Sequence, residues 1–448
     1  MQTTTDLNKF PPQIKYIIGN EGCERFSFYG MRTILTVFMV QFLLINETDA
    51  TSVYHIFVSA CYLMPLAGAF LADRYFGKYK VILWLSIVYC IGHAVIALFE
   101  TKAGLYWGLG LIAVGSGGIK PCVSAFVGDQ FLATQKELIK KVYNLFYWII
   151  NLGSATSTLL TPFLLKELGP SVAFGIPGVL MLIATVIFWM GRKQYVNKPP
   201  TPKDPHGFMP VLMTAFQNRK PGRSFLEGAL TKHPQESVEA VRSVLSIMTI
   251  FFTAVPVFWA LFDQHGSTWV LQARQMNPMF MGIEIQPSQI QALNPWMVMA
   301  LIPLFVFVIY PLVQKFYDFK PLRRMTWGMV IAAFSFFQVG LIQYQLDAGI
   351  ELNMMWQFFP YLTITTAEIL ISITGLEFAY TQAPPSMKST IMSFWLLTTF
   401  LGNFIVAVVA KINVFEGGNF FMFFGLLMLA VSGLFWFMAQ RYQMKQVQ

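Results

Sequence analysis

The chain is expected to be an all-α integral membrane protein, with twelve transmembrane helices in two six-helix bundles. Three observations carry this. Of 448 residues, 55% are hydrophobic and only 12% are charged, against about 25% charged in soluble domains. Twelve apolar stretches reach bilayer length, roughly 20 residues each. One long basic, proline-rich loop divides them six and six. A globular enzyme behind a cleavable leader is excluded, because Met1 to Pro12 is polar and the first apolar run is already of membrane length.

The spans are expected at 16–45, 51–74, 81–99, 104–131, 143–165, 169–191, 244–271, 290–314, 322–346, 356–381, 388–411 and 419–440. Several exceed the minimum, which implies tilt or helical extension into loops. The chain thus divides into a bundle at 1–191, a linker at 192–243 and a second bundle at 244–448. With both termini inside, outward loops hold only Lys102, Lys166, Arg274 and Lys411 of the 31 basic residues. Arg25, Arg32 and Lys120 lie in spans, and the remainder fall on the inner side, as the positive-inside rule requires. Topology therefore accounts for the net charge of +9 and leaves no case for a nucleic-acid partner.

Span 1 carries four charges: Glu21, Glu24, Arg25 and Arg32. One charge at the bilayer centre costs about 2.5–3.5 kcal/mol on insertion scales. Glu21, Arg25, Phe28 and Arg32 step by 4, 3 and 4, so they form one helical stripe. A stripe of both signs has to face a watery cavity. Glu21 and Arg25 are spaced to pair. One arginine cannot neutralise two carboxylates, so Glu21 or Glu24 is the candidate proton carrier.

The inner loop after span 2 reads Gly68-Ala-Phe-Leu-Ala-Asp73-Arg74-Tyr-Phe-Gly77-Lys78. An Asp at a helix end accepts hydrogen bonds from neighbouring termini, so Asp73 and Arg74 are candidates for a conformational clasp. Asp318 is a weaker echo after span 8. Span 4 contributes Gly115-Ser-Gly117-Gly118-Ile-Lys120-Pro121. At 1.5 Å per residue, Lys120 sits roughly 16 Å above the inner end of its span and Arg25 about 13 Å up span 1. Lys120 is thus level with the span-1 acids and calls for a carboxylate partner.

The linker holds Pro199-Pro200-Thr-Pro202-Lys-Asp-Pro205. Residues 208–217 and 234–245 are expected as short helices on the membrane face. Six spans, a long inner linker and six more is the major facilitator layout. In span 7, Asp263 is the outer-half acid and Arg32 the cation at similar height, so the two are expected to pair at the outer mouth. His265 reads as a polar interface residue. In span 10, Glu368 lies near mid-membrane with no unassigned cation in spans 7–12 at its depth, which suits it to meet a substrate ammonium. Tyr29, Tyr62, Asn151, Asn294, Trp259 and Trp395 are the polar or aromatic candidates for the cavity wall. The four cysteines all fall in spans, and the five histidines show no cluster, so no metal site is expected.

Glu21-x-x-Glu24-Arg25-Phe26-x-x-Tyr29-Gly30 resembles the E-x-x-E-R-F-x-Y-Y-G signature of proton-dependent oligopeptide transporters. Gly115 to Pro121 with Phe126-Val-Gly-Asp129-Gln130-Phe131, Phe146-Tyr-Trp-Ile-Ile-Asn151-Leu-Gly153, and Glu368-Ile-Leu-Ile-Ser372 with Thr374-Gly-Leu376 resemble its span 4, 5 and 10 signatures. The resemblance runs from about residue 19 to 403. It implies import of di- and tripeptides driven by an inward proton gradient, with no cofactor and with peptides, protons and the lipid bilayer as partners. It implies that Arg25 and Lys120 hold the peptide carboxylate, and that Glu368 with Asn294 and Asn151 holds the amino end. Ser372 shares the Glu368 motif. Proton coupling is implied for Glu21, Glu24, Arg25 and Lys120, the outer gate for Arg32 and Asp263, and the pocket wall for Tyr29, Tyr62, Trp259 and Trp395.

Three departures bear on peptide preference. The linker has no room for the two extra helices usual in bacterial members. Phe28 stands where a tyrosine is common, removing a hydroxyl from the pocket wall. Asp263 is one methylene shorter than the frequent Glu. Import of another small charged solute, such as an amino acid or nitrate, is the alternative, although Glu368 would repel a bare anion. A peptide sensor is a further alternative. An intramembrane enzyme would need a nucleophile–base pair or a motif such as H-E-x-x-H, and the sequence has neither. A bacterial inner membrane with both termini cytoplasmic is expected.

Overall fold

A computed structural model describes residues 9–132, 134–200, 204–219, 222 and 224–442. The terminal residues and part of the proline run (201–203) lie outside the described residues. Six long helices form the first half: α1 (Ile14–Val37), α2 (Glu47–Leu71), α3 (Lys78–Leu98), α4 (Lys102–Asp129), α5 (Lys136–Leu168) and α6 (Pro170–Met190). After the linker helix α7 (Phe208–Gln217) come α8 (Gln235–Phe262) and α9 (Thr268–Ala273), which together make span 7. The remainder are α10 (Leu293–Leu304), α11 (Tyr310–Gln314), α12 (Pro321–Asp347), α13 (Phe358–Glu368), α14 (Thr374–Gln382), α15 (Lys388–Ile412) and α16 (Gly418–Arg441). Single π turns join α10 to α11 and α13 to α14, completing spans 8 and 10. A two-residue hairpin, β1 (Met279–Phe280) and β2 (Ile283–Glu284), lies between spans 7 and 8.

Eleven of these helical stretches are long and apolar enough to cross a membrane. The twelfth, α1 with its π turn Phe38–Phe42, is as long but carries the four charges. Residues 235–245 are the first turns of α8, not a separate surface helix as the sequence suggested. Apolar periodicity runs unbroken across that point, so the helix continues.

Each half has its own apolar core. One gathers residues from Ile14 to Tyr195 with Val270. The other gathers Phe208 to Phe435. Within the first half, α4 approaches α3 and α2 through glycine. A Cβ on Gly115 would lie 2.6 Å from the Cβ of Tyr89, and one on Gly68 would meet the Gly118 backbone. Small residues at such crossings let backbones touch where lipid gives no hydrophobic drive to associate.

The linker is tied to both halves. Gln130 at the end of α4 accepts from the Val196 amide (2.9 Å) and donates to its carbonyl (3.2 Å). Asp129 pairs with Lys78 and, at 2.8 Å, with Lys198. Ten residues later Phe208 packs edge-on against Phe394 of α15, at 5.2 Å between ring centres. The linker also brings His206 and His233 together, Nδ1 to Nδ1 at 3.0 Å. Their separation in sequence hid this fold-back.

Candidate functional site

The face bearing the linker is termed the linker side and the opposite face the loop side. A cavity of about 340 Å³ lies between the halves, within the size range of small-molecule sites. Its first-half wall includes Tyr29, Arg32, Tyr62, Tyr147 and Asn151; its second-half wall includes Trp259, Asp263, His265, Asn294, Glu368 and Ser372. His265 lines the cavity and also meets Tyr361 of α13, whose hydroxyl donates to its carbonyl at 3.2 Å. Its Nδ1 is held 2.5 Å from the Phe262 carbonyl.

The loop side is sealed. Span 7 breaks at Asp263–Gly266, a 3₁₀ turn between α8 and α9, where Asp263, His265 and Gly266 are weak helix formers. The break puts the Asp263 side chain at the helix end, facing α1. Arg32 gives Nη2 to Asp263 Oδ1 at 2.5 Å and Nε to Tyr54 Oη at 2.6 Å. The expected ion pair is thus present. Asp263 Oδ2 accepts from Asn403 Nδ2 (2.7 Å). Asn403 must present that NH₂ to the carboxylate, so its Oδ1 faces His55 Nδ1 at 2.7 Å. The network therefore places the ring proton on Nδ1, leaving Nε2 to accept from Ser267 Oγ at 2.8 Å. Carbonyls freed by the break are also used: Thr36 donates to Gly266 O at 2.9 Å. Nearer the rim, Arg274 meets Glu47, Lys411 meets Asp49, and Lys166 meets Glu284.

In the cavity, Glu368 ends α13 just before the π turn Ile369–Ile373, a distortion that often marks functional sites. Asn294 donates to Glu368 Oε2 at 2.9 Å and lies 3.1 Å from Thr365 Oγ1. Among the described residues no cation pairs with Glu368. Across the cavity, Asn151 is oriented by donating to the Tyr147 carbonyl at 2.8 Å.

The span-1 acids and Lys120 stand behind this wall. Arg25 Nε lies 2.8 Å from both Glu21 Oε1 and Glu24 Oε2. Only the Glu21 contact has hydrogen-bond geometry; both Glu24 oxygens are buried with no hydrogen-bond partner in the protein. The carboxylate partner expected for Lys120 is not the one it takes. Its Nζ sits 4.1 Å from the Phe28 ring centre and 4.9 Å from that of Tyr62. Such cation–π contacts are worth about 2 kcal/mol or more when desolvated. Phe28, 1% exposed, is consequently not a pocket wall lacking a hydroxyl; it is the platform under the ammonium. Trp395 also lies behind the wall, buried edge-on against Phe251 at 5.1 Å, with Trp259 between it and the cavity.

On the linker side, Asp73 falls in the π turn Ala72–Phe76 that ends α2 and points to the exterior. Among the described residues no hydrogen bond or ion pair reaches it or Arg74. The acid that clasps the inner helix ends is Asp129, which sequence reading had placed only in a motif. Sequence reading also missed Tyr54, His55 and Asn403. His55 and Asn403 are buried polar residues with no charge in the stretch around them, the one signal that could have marked them.

The sequence model of the POT family matches residues 79–419. The chain is 38% identical over 395 residues to "Solute carrier family 15 member 2" of Rattus norvegicus, covering 82% of this chain and 54% of that protein. It is 40% identical over 366 residues to "Peptide transporter family 1" of Drosophila melanogaster, covering 77% and 48%. The chain spans about half the length of these curated relatives. Among solved structures, the POT family transporter PepTSo superposes with a TM-score of 0.93 at 43% identity, covering 98% of this chain and 99% of that one. An auto-inhibited POT family peptide transporter gives 0.91 at 42%, covering 97% and 98%.

Proposed function

This chain belongs to the POT family, and from that premise we propose that it is a proton-coupled symporter importing di- and tripeptides by alternating access. The observation that carries the reading is the cavity shared by both halves. On one wall it has a carboxylate, Glu368, with no cation beside it among the described residues, and on its loop side a closed charge network. A zwitterion a few ångströms long places its ammonium at Glu368, held by Asn294, and its backbone near Asn151. Its carboxylate faces the first half, where Arg25 and Lys120 supply positive charge from behind Tyr29 and Tyr62.

The linker side is the cytoplasm, where the basic residues concentrate, and the membrane is a bacterial inner membrane with both chain ends inside. Empty protein open to the outside takes up a proton and a peptide, the Arg32–Asp263 contact re-forms, the halves rock and both are released inside. Glu21 and Glu24 share Arg25, and the proton resides on one of them. Chemistry on the peptide is not part of this cycle, and the energy source is the proton gradient alone.

Purified protein in liposomes, acid outside, should acidify the interior when a dipeptide is added outside, and free amino acids or nitrate should not compete. Glu24→Gln should abolish accumulation against a gradient. Peptide-independent acidification, or concentrative uptake by Glu24→Gln, would overturn the reading.

A further inference from the structure

Helix α1 presents two polar faces. Tyr29, Arg32 and Thr33 turn toward the cavity. Asn20, Glu24 and Ser27, spaced 4 and 3, turn into the first bundle. Asn20 donates to the Ala184 carbonyl of α6 at 3.0 Å. Ser27 Oγ lies 3.0 Å from His93 Nε2 of α3 and 2.6 Å from the Pro177 carbonyl. Glu24 sits between them, 2% exposed. The acid implicated in proton handling therefore points away from the substrate.

What it points toward is unusual. Among the described residues, Glu24 Oε1 and Oε2 and Ser86 Oγ are buried with no hydrogen-bond partner, and the buried Tyr89 and Ser116 hydroxyls have only each other within reach. Ser86 and Tyr89 lie one turn apart on α3, and the Tyr89 ring rests against that of His93 at 5.0 Å. Gly115 brings α4 onto the Tyr89 Cβ, which sets Ser116 beside the tyrosine hydroxyl. Through His93, which meets Ser27 one turn beyond Glu24 on α1, the Tyr89 ring one turn earlier on α3 stands level with the acid. Buried polar groups are rarely left unpaired, because each one that is has lost its hydration without replacement. The Glu24 carboxyl with the hydroxyls of Tyr89 and Ser116, and Ser86 one turn from Tyr89, offers the two to four polar partners that an internal water needs.

We propose that Ser86, Tyr89 and Ser116 form an internal water site behind Glu24, and that Tyr89 is the positioning residue for this coupling acid. The inference rests on the proton-symport reading. A hydroxyl both donates and accepts. When Glu24 is charged, the water and Tyr89 turn their O–H groups toward its oxygens; when it is protonated, its own O–H is accepted by the same oxygens. The site thus serves both forms without moving a helix. The other groups facing Glu24 are Glu21 and Arg25 on α1, Lys120 on α4 and Cys61 on α2. Arg25 and Lys120 are cations that only donate, Cys61 is a weak donor and acceptor, and Glu21 is engaged by Arg25.

The test uses Tyr89→Phe, which keeps the ring against His93 and Gly115 and removes only the hydroxyl, with Ser116→Ala beside it. Wild-type protein in liposomes is the control for the symport reading itself. If wild type shows peptide-dependent acidification, Tyr89→Phe should displace the pH midpoint of driven uptake by roughly one unit, the scale of one hydrogen bond to a charged group. Peptide counterflow without a gradient should be preserved. Infrared pH-difference spectra of detergent-solubilised protein need no transport. The protonated-carboxyl band assigned to Glu24, by its loss in Glu24→Gln, should shift in Tyr89→Phe and in Ser116→Ala. Superimposable pH profiles and an unmoved band would overturn the inference. So would a displaced profile with an unmoved band, since that would place the effect elsewhere.

Discussion

Two charged networks, both centred on an arginine of α1, differ in how completely they are satisfied. Around Arg32, each polar atom of Asp263 and Asn403 has a partner, and the chain of bonds runs from Tyr54 through to Ser267 across both halves. Around Arg25, two carboxylates share one nitrogen, both oxygens of Glu24 lack a hydrogen bond, and Lys120 is held by rings instead of acids. A saturated network in low dielectric favours one geometry and suits a latch that is either shut or open. An undersatisfied one has capacity left, which suits a group that must gain and lose a proton in place.

If that contrast is right, disturbing the latch should be costlier than disturbing the store. Asp263→Ala strands Arg32 in a buried site, and the closed loop side should lose about 3–5 kcal/mol. Spin labels at the exposed Leu44 and Met281 should report a longer separation, and unchanged distances would break the comparison. Asn403→Leu removes one donor from Asp263 and one acceptor from His55, for about 1–3 kcal/mol by the same labels. Asn294→Leu leaves Glu368 without its amide, and apparent dipeptide affinity should fall about tenfold, with little change in label distance.

The smallest effect belongs to the rim. The Lys166 ammonium beside Glu284 holds that exposed carboxyl below its ordinary value. A depressed carboxylate favours the paired, closed form above its free value and loses that contribution as pH falls through the paired one. Wild type and Glu284→Gln should therefore differ slightly in label distance near neutral pH and converge as pH falls below the ordinary carboxylate range. A difference that persists in acid would assign the effect to something other than this pair.

The fold was legible because bilayer-length apolar runs leave few architectures, and the latch because Arg32 and Asp263 are lone charges at matching heights. What escaped was whatever depended on which way a helix is rotated. Glu21, Arg25, Phe28 and Arg32 were read as one stripe facing a watery cavity, yet of these only Arg32 lines it, and Glu24 faces the bundle interior. Phe28 looked like a cavity residue and proved to be a seat for Lys120. Ser86, Tyr89 and His93 read as ordinary span residues because no charge marks them. Asp73 sat in an expected loop pattern, but a π turn swings it outward and leaves the clasp to Asp129.

The linker attachments set a limit on the stroke. Lys198 is fastened to the first half through Asp129, and Phe208 is fastened to the second through Phe394. Between them run only residues 199–207. Fully extended, a tether of that length spans about 35 Å. With both fastenings intact, these two anchor points cannot separate further, so the length of the leash sets an upper bound on how far they part.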